Sequence, residues 1–140
     1  AASRGDILVL CHDDIELLAA DPYARLVDAL TRFDLAGCAG TRRLSSYTWV
    51  WGGLADNDGR VAHPADDGGY ELCVYGPGGP RVAGAQALDG ALLALRRDVL
   101  ARVDFDSDTY DGFHLYDIDF SSRAARAGCH RLSRSGDMVA

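Results

Sequence analysis

The feature that most constrains the fold of this chain is a continuous apolar run at residues 7–10, which leads directly into Cys11-His12-Asp13-Asp14. A run that is apolar at every position is typical of a strand covered on both faces, as in the centre of a parallel α/β sheet. Carboxylates at the end of such a strand are costly to bury, so their presence indicates a cationic partner such as a metal ion.

Helix and strand signals around this run predict an α/β fold. Pro22 begins a helical pattern, and residues 35–39 form a short strand of small side chains. Together with residues 7–10 these segments predict a β-α-β unit with a right-handed crossover. We therefore expect a mainly parallel sheet flanked by helices, in one domain that spans residues 1–140.

Signals are weaker in the middle of the chain, where residues 41–85 are rich in glycine and aspartate. A turn at residues 56–59 and a strand at residues 71–75 predict a small antiparallel excursion with mobile loops. After it, residues 91–95 have a strand pattern and residues 97–103 a short helical one.

The last third of the chain contains an acidic loop and an amphipathic helix. Residues 116–127 show helical periodicity that ends at Gly128. Residues 129–132 and 137–140 are candidate final strands. Aspartates alternate in the loop, but position six of a calcium loop is Thr109 here instead of glycine, which argues against calcium.

Composition excludes several classes of function. The net charge of -7 argues against nucleic acid as a partner, and the absence of lysine excludes Schiff-base chemistry. No apolar segment approaches the roughly 20 residues that span a membrane, and no signal peptide opens the chain. The four cysteines lack metal-ligand spacing and fit buried free thiols, so we expect a cytoplasmic protein. Its alanine-, glycine- and arginine-rich composition suggests a bacterial source.

The second acidic motif is Asp117-Ile118-Asp119, near the start of the predicted helix. Asp119 is four residues from Arg123, so a simple ion pair on one helix face explains it. Asp117 has no basic partner nearby in sequence, and His114 lies about one turn before it. A carboxylate in this aromatic, histidine-containing setting is a candidate general base.

Other motifs have structural explanations that compete with functional ones. Asp13 could cap a short helix with Glu16 at the third position, although this leaves Asp14 unexplained. Trp49 and Trp51 fit core packing, and they equally fit stacking on a sugar or another acceptor. The loop that ends at Asp111 is a candidate substrate-binding segment.

Taken together, three segments resemble inverting glycosyltransferases with the A-type nucleotide-sugar fold: residues 3–14, 88–97 and 105–123. The similarity is to glycosyltransferase-like proteins related to the streptomycin-biosynthesis StrF domain. Their His-Asp motif occurs here at His12-Asp13, and their Phe-His-x-Tyr-Asp-Ile-Asp motif at residues 113–119. The first strands of that family, which hold the nucleotide base, would precede Ala1. We therefore expect a C-terminal portion of the catalytic domain that is inactive by itself.

The resemblance implies a nucleotide-sugar donor and a carbohydrate or other hydroxyl acceptor. By it, Asp14 holds a divalent cation, Mn²⁺ or Mg²⁺, on the donor diphosphate, and Asp13 helps at the metal or the ribose. Asp89 and Gly90 line the donor sugar, while Asp117 deprotonates the acceptor. We expect Asp14 and Asp117 to face one cleft.

Four further residues complete the predicted site. By the same resemblance, His114 and Arg123 support the base or the acceptor. Trp51, which could stack on an acceptor, and Asp111, in the candidate substrate-binding loop, are candidates for acceptor binding. An alternative from another class is a non-catalytic carbohydrate-binding or interaction module with the same fold, which the tryptophan-rich segment favours. A phosphatase-like hydrolase with Asp13 as nucleophile fits poorly, because the chain lacks a lysine.

Overall fold

The computed structural model describes residues 3–77 and 82–133. In chain order the strands of this part are β1 (Ile7–Cys11), β2 (Leu35–Gly37), β3 (Ala39–Thr41), β4 (Asn57–Pro64), β5 (Tyr70–Tyr75), β6 (Val82–Ala83), β7 (Ala87–Leu88), β8 (Leu92–Arg96) and β9 (Arg131–Ser133). The α-helices are α1 (Pro22–Leu30) and α2 (Tyr116–Arg126), and 3₁₀ turns cover Trp49–Gly52 and Arg97–Ala101. The candidate strand at residues 137–140 lies outside the described residues.

These strands form two mostly antiparallel sheets. The first sheet has the order β1-β8-β2-β9-β6, and the second has the order β5-β4-β3-β7. Within the described residues only β2 and β9 pair in parallel. The predicted mainly parallel sheet flanked by helices is therefore wrong, because antiparallel pairing dominates both sheets and only α1 and α2 are α-helical there.

Strand β1 shows why the apolar run was misleading. It lies at the edge of the first sheet, antiparallel to β8, and Val9 and Leu10 are exposed. The buried interior strand next to β1 is β8, which pairs with both β1 and β2. β1 and β2 therefore run in the same direction, but a strand from much later in the chain lies between them. Local hydrophobicity does not identify that partner.

The middle of the chain corrects two further predictions. Residues 35–39 do not form one strand, because β2 and β3 belong to different sheets. Residues 56–59 are not a turn, since Asn57 begins β4 and is buried. Gly59 explains the close packing there: a Cβ at this position would lie 2.5 Å from the Cβ of Ala39. A glycine that suggests a turn in the sequence thus permits close approach of two strands.

Core side chains lie on both faces of the first sheet. Leu93 and Leu95 of β8 belong to a cluster with Phe120 of α2, while Leu92 belongs to a cluster with Leu26 of α1. The two α-helices begin at the predicted positions. Pro22 opens α1 after Asp21, whose Oδ1 accepts from the Ala24 amide at 2.9 Å. α1 and α2 therefore cover opposite faces of the first sheet.

Two further properties concern the whole described part of the chain. None of its helices is long and apolar enough to cross a membrane. The four cysteines are unpaired, but only Cys38 and Cys129 are buried, so the expectation of uniformly buried thiols is wrong for Cys11 and Cys73.

Candidate functional site

The start of α2 places Asp117 against the loop that precedes β8. Its Oδ2 accepts a hydrogen bond from the Gly90 amide at 2.7 Å. The residue before the helix, Leu115, has a φ of 70°. Left-handed backbone is unfavourable for a leucine, and such strain is concentrated at functional sites. The strained entry and the Gly90 amide together fix where the Asp117 carboxylate lies.

Asp89 organises the loop that carries Gly90. Its Oδ1 accepts from the Ala91 amide at 2.8 Å, and its Oδ2 accepts from the Trp49 indole Nε1 at 2.5 Å. The Asp89 amide in turn donates to the Ala39 carbonyl of β3 at 2.9 Å. The loop is thus held by β3 of the second sheet and by the 3₁₀ turn that carries Trp49, and each Asp89 carboxylate oxygen already holds a donor.

Asp89 and Asp117 share a cavity of about 410 Å³, which we call the Asp117 cavity. Its walls also include Tyr47, Thr48, Trp49 and His114. None of the described arginines lines it. The predicted residues Asp89, Asp117 and His114 are therefore brought together, and Gly90 lies against them, without a cationic side chain to neutralise the two carboxylates.

This environment changes the acidity of Asp117. Burial raises the pKa of its carboxyl group, and the negative charge of Asp89 raises it further. Hydrogen bonds from the Ile118 and Gly90 amides oppose the rise without cancelling it. Burial and the charges of Asp117 and Asp89 likewise raise the pKa of Tyr116. A carboxylate whose pKa rises toward neutrality is a stronger base when ionised.

Arg123 has structural contacts outside this cavity. Its Nε lies 2.7 Å from Asp119 Oδ2, which confirms the predicted ion pair. The Arg123 Nη2 also donates to the Asp104 carbonyl at 2.7 Å. Through these contacts Arg123 ties α2 to the acidic loop before it. The arginine predicted to support the base is thus held by other groups.

The first acidic motif follows β1 in a turn. Asp13 and Asp14 are exposed, and residues 12–20 contain no helix, so the capping-box interpretation of Asp13 and Glu16 is wrong. Asp14 lines a separate cavity of about 580 Å³, the Asp14 cavity. His12, Glu16, His63 and Tyr70 also line it.

The two cavities are distinct, but both lie near the point where β1 ends and β8 begins. The His12 amide donates to the Ala91 carbonyl at 3.2 Å, which joins the end of β1 to the start of β8. The His12 ring also lies 5.0 Å from the ring of Phe113, in the loop before α2. Asp14 and Asp117 therefore belong to neighbouring regions, but each lines its own cavity.

The described side chains do not form a metal cage. Within residues 3–77 and 82–133, no three His, Cys, Asp or Glu side chains cluster closely enough to hold an ion. In the acidic loop, Asp106 instead accepts from the Thr109 amide at 3.0 Å. Asp13 and Asp14 offer hard oxygen donors that would need further ligands from a bound molecule.

The remaining predicted residues lie outside both cavities. Asp111 is exposed, and the ring of the exposed Trp51 contacts that of Tyr47 at 5.8 Å. The tryptophan in the Asp117 cavity is Trp49, which the sequence left open between core packing and stacking. Trp51, two positions away, shows the same local signal, so only the tertiary fold shows which of the two tryptophans lines the cavity.

A family comparison adds to this geometry. The model of a glycosyltransferase-like family matches residues 1–132. The chain belongs to this glycosyltransferase-like family. Membership supports a function related to sugar transfer, and such enzymes in general take a nucleotide-sugar and an acceptor. A search of curated proteins found no match.

Proposed function

We propose that this glycosyltransferase-like chain transfers a sugar from a nucleotide-sugar to an acceptor hydroxyl, with inversion at the anomeric carbon. The observation that carries the proposal is the Asp117 carboxylate, half-buried in a cavity without arginine and held by the Gly90 amide at 2.7 Å. A base needs a defined position, a lone pair that faces the substrate and a pKa raised toward the working pH. Asp117 is held in a defined position, lines the cavity and has a raised pKa, which supports this role.

In this reaction Asp117 takes the proton from the acceptor hydroxyl. The acceptor oxygen then forms a bond to the anomeric carbon from one face, while the bond from that carbon to the diphosphate oxygen breaks on the other. The proton ends on Asp117, and the electron pair of the broken bond leaves with the diphosphate. Attack opposite to the leaving group inverts the configuration at carbon.

The chain's other residues would bind and orient the two substrates. The acceptor would enter the Asp117 cavity, where His114 and the aromatic rings of Tyr47 and Trp49 form walls. The donor sugar would lie beside Asp89 and Gly90, on the side of the loop that faces the neighbouring Asp14 cavity. Aromatic walls suit the apolar faces of sugar rings.

A divalent cation, Mn²⁺ or Mg²⁺, fits this proposal as an ion shared with the donor. Asp14 and Asp13 would hold it, and the diphosphate oxygens would supply the ligands that the described residues lack. When bound, the ion neutralises charge that develops on the leaving diphosphate. Calorimetry should therefore detect Mn²⁺ binding with a nucleoside diphosphate present and much weaker binding without it.

The experiment that tests the function is a transfer assay on the variant Asp117→Asn. A screen of nucleotide-sugars by thermal shift with Mn²⁺ first identifies the donor. Loss of a general base typically slows a reaction about 10²–10⁴-fold, and donor affinity should stay nearly constant. Asp119→Asn is the matched control, because it changes the same helix without touching the cavity. Equal rates for wild type and Asp117→Asn would remove Asp117 from the mechanism.

A second candidate function, sugar binding without transfer, is favoured by one observation. Trp51 is 65% exposed and its ring contacts that of Tyr47, so an aromatic platform faces solvent beside the Asp117 cavity. A binding module would retain oligosaccharide affinity in Asp117→Asn and lose it in Trp51→Ala. It would also bind without any nucleotide or metal. Turnover of any nucleotide-sugar by the wild type would contradict this candidate.

A further inference from the structure

Asp89 differs from a typical ligand-binding carboxylate in that the protein already occupies both of its oxygens. Oδ1 accepts from the Ala91 amide at 2.8 Å and Oδ2 from the Trp49 indole at 2.5 Å. Both donors come from fixed groups, one in the same turn and one in the 3₁₀ turn Trp49–Gly52. A carboxylate held in this way is poorly placed to reorganise around a sugar, and well placed to shape its own turn.

That turn controls the amide that reaches Asp117. Gly90 lies between Asp89 and Ala91, so the bond from Asp89 to the Ala91 amide fixes the peptide planes on both sides of it. The Gly90 amide then points at Asp117 Oδ2 at 2.7 Å. A Cβ on Gly90 would lie 2.7 Å from the Tyr116 hydroxyl and 3.0 Å from Asp117 Oδ2. The turn and the helix are thus in direct contact, with no space for adjustment.

The charges around Asp117 reinforce this arrangement. Asp89 faces it from the turn, Tyr116 from α2, and His114 from the loop before α2. The field of Asp89 also reaches Tyr75 of β5 and Cys38, where together with burial it raises the pKa of both groups. Asp89 is therefore the nearby negative charge that these groups share, and its position matters to the base.

We propose that Asp89 is a positioning residue for Asp117: held by Trp49 and the Ala91 amide, it locks the turn that directs the Gly90 amide at the Asp117 carboxylate. The catalytic meaning of this role rests on the proposed function, whereas the structural coupling does not. Through this contact, Trp49 links the segment before β4 to Asp117. The Asp89 carboxylate then orients Asp117 and does not itself bind the donor sugar, which the neighbouring residues contact.

The coupling is tested by amide and indole hydrogen exchange, measured by NMR on the ¹⁵N-labelled chain without substrate. The Ala91 and Trp49 donors lie on different oxygens of Asp89, and asparagine replaces one of these oxygens by an NH₂ group, so Asp89→Asn cannot accept from both donors at their present positions. The expected result is about 10- to 100-fold faster exchange of both the Trp49 indole and the Gly90 amide, as loss of a charged hydrogen bond allows. The exposed Trp51 indole is the internal reference, and Asp66→Asn, in an exposed turn, is the control substitution.

A double variant separates positioning from general damage. Trp49→Phe keeps an aromatic ring against Tyr75, now 4.9 Å away, and removes the indole donor together with part of the buried ring volume. Trp49→Phe alone should also speed Gly90 exchange, because Asp89 then keeps only one of its two donors. If Trp49 acts on the turn through Asp89, the Gly90 amide in Asp89→Asn with Trp49→Phe should exchange no faster than in Asp89→Asn. A Gly90 amide that exchanges equally fast in wild type and Asp89→Asn would overturn the proposal, as would additive effects of the two substitutions.

Kinetics then separate this role from donor binding. Once a donor is identified, Asp89→Asn should lower kcat and leave the donor KM nearly unchanged. A raised donor KM with normal kcat would instead assign Asp89 to the sugar and contradict positioning. If Asp89→Asn does not fold, Trp49→Phe alone gives the answer, since it should still speed Gly90 exchange. If no donor is turned over, the proposed function fails while the exchange result stands separately.

Discussion

Asp34 is a buried carboxylate and Asp117 a half-buried one, and both accept hydrogen bonds from backbone amides, but their surroundings differ. Asp34 lies 2.9 Å from Arg96 and 3.2 Å from Arg102, and the His130 amide donates to it at 2.7 Å. Burial alone would raise the pKa of Asp34, but these donors and positive charges lower it overall. Asp117 has the Gly90 amide and a second carboxylate instead of arginines, and its pKa is raised.

The difference separates a structural carboxylate from a candidate functional one. Asp34 ties β2 to Arg96 at the end of β8 and to the backbone that leads into β9, so its neutralised charge stabilises the fold. Asp117 retains an uncompensated charge at the wall of a cavity, which costs stability and keeps its basicity. Such uncompensated groups cluster where a protein needs chemistry.

The largest expected effect comes from displacing Asp117 without changing its chemistry. In Gly90→Ala the new Cβ would lie 2.7 Å from the Tyr116 hydroxyl and 3.0 Å from both Asp117 Cβ and Oδ2, so the Tyr116 ring and the Asp117 carboxylate must both shift. A shift of about 1 Å in a reacting group can cost on the order of 10²-fold in rate. Gly112→Ala is the control, since a Cβ there meets nothing within 4 Å. Transfer assays on the two variants should differ by about that factor, and equal rates would show that the contact does not position the base.

The next largest effect is on stability and concerns Asp34. Asp34→Asn removes charged hydrogen bonds to Arg96 and Arg102 and should destabilise the fold by about 1.5–3 kcal/mol at pH 7 in urea unfolding. Asp98→Asn is the matched control, because Asp98 also lies 2.9 Å from Arg96 but is 60% exposed. Exposed pairs contribute about 0–1 kcal/mol. A similar loss in both variants would mean that burial of Asp34 does not matter.

Unfolding as a function of pH sharpens the comparison, because the two carboxylates should give opposite signs. The pKa of Asp34 is lowered in the folded state, so its contribution is complete above the unfolded value of 3.8 and is lost as pH falls through the folded pKa. The pKa of Asp117 is raised, so its ionisation costs stability above the folded pKa, and this cost disappears as pH falls toward 3.8.

Asp117→Asn should therefore be more stable than wild type at pH 7, in contrast to Asp34→Asn. The two stability differences should both shrink on acidification, that of Asp117→Asn first. Thermal unfolding from pH 7 to well below pH 3.8 measures both. If Asp117→Asn were less stable at pH 7, its carboxylate would be satisfied and the contrast with Asp34 would fail.

The sequence predicted local elements better than their arrangement. Pro22 predicted the start of α1, and the spacing of Asp119 and Arg123 predicted an ion pair that the structure confirms. Both signals lie within one turn of helix, where spacing determines contact. The direction of strand pairing depends on partners far along the chain. β1 pairs with β8, which begins about eighty residues later, and no periodicity within β1 encodes that choice.

The candidate site shows the same limit. Asp117 was recognisable from its motif and its lack of a local basic partner. Its contact with Gly90 joins residues 27 positions apart, and the bond from Trp49 to Asp89 spans 40. No local signal distinguishes Trp49 from Trp51. The separation of Asp14 from Asp117 into two cavities likewise depends on where the β4 and β5 strands lie.

The smallest expected effect concerns the starts of the two helices. Asp21 caps α1 through the Ala24 amide, whereas Leu115 precedes α2 in left-handed backbone and makes no side-chain cap. Left-handed geometry costs a residue such as leucine about 1–2 kcal/mol, and asparagine tolerates it better. Leu115→Asn also loses apolar contact of a partly exposed side chain, so its net gain should stay below about 1 kcal/mol. Leu115→Val, β-branched and less tolerant of positive φ, should be destabilised.

The informative result is which of Leu115→Asn and Leu115→Val is the more stable, because loss of apolar contact alone would make Leu115→Asn the less stable of the two. Urea unfolding at pH 7 measures both, and Asp21→Ala, which removes the cap of α1, gives the reference loss of about 1 kcal/mol. If Leu115→Val is more stable than Leu115→Asn, the entry to α2 is not strained. In that case the start of α2 differs from that of α1 only by lacking a side-chain cap.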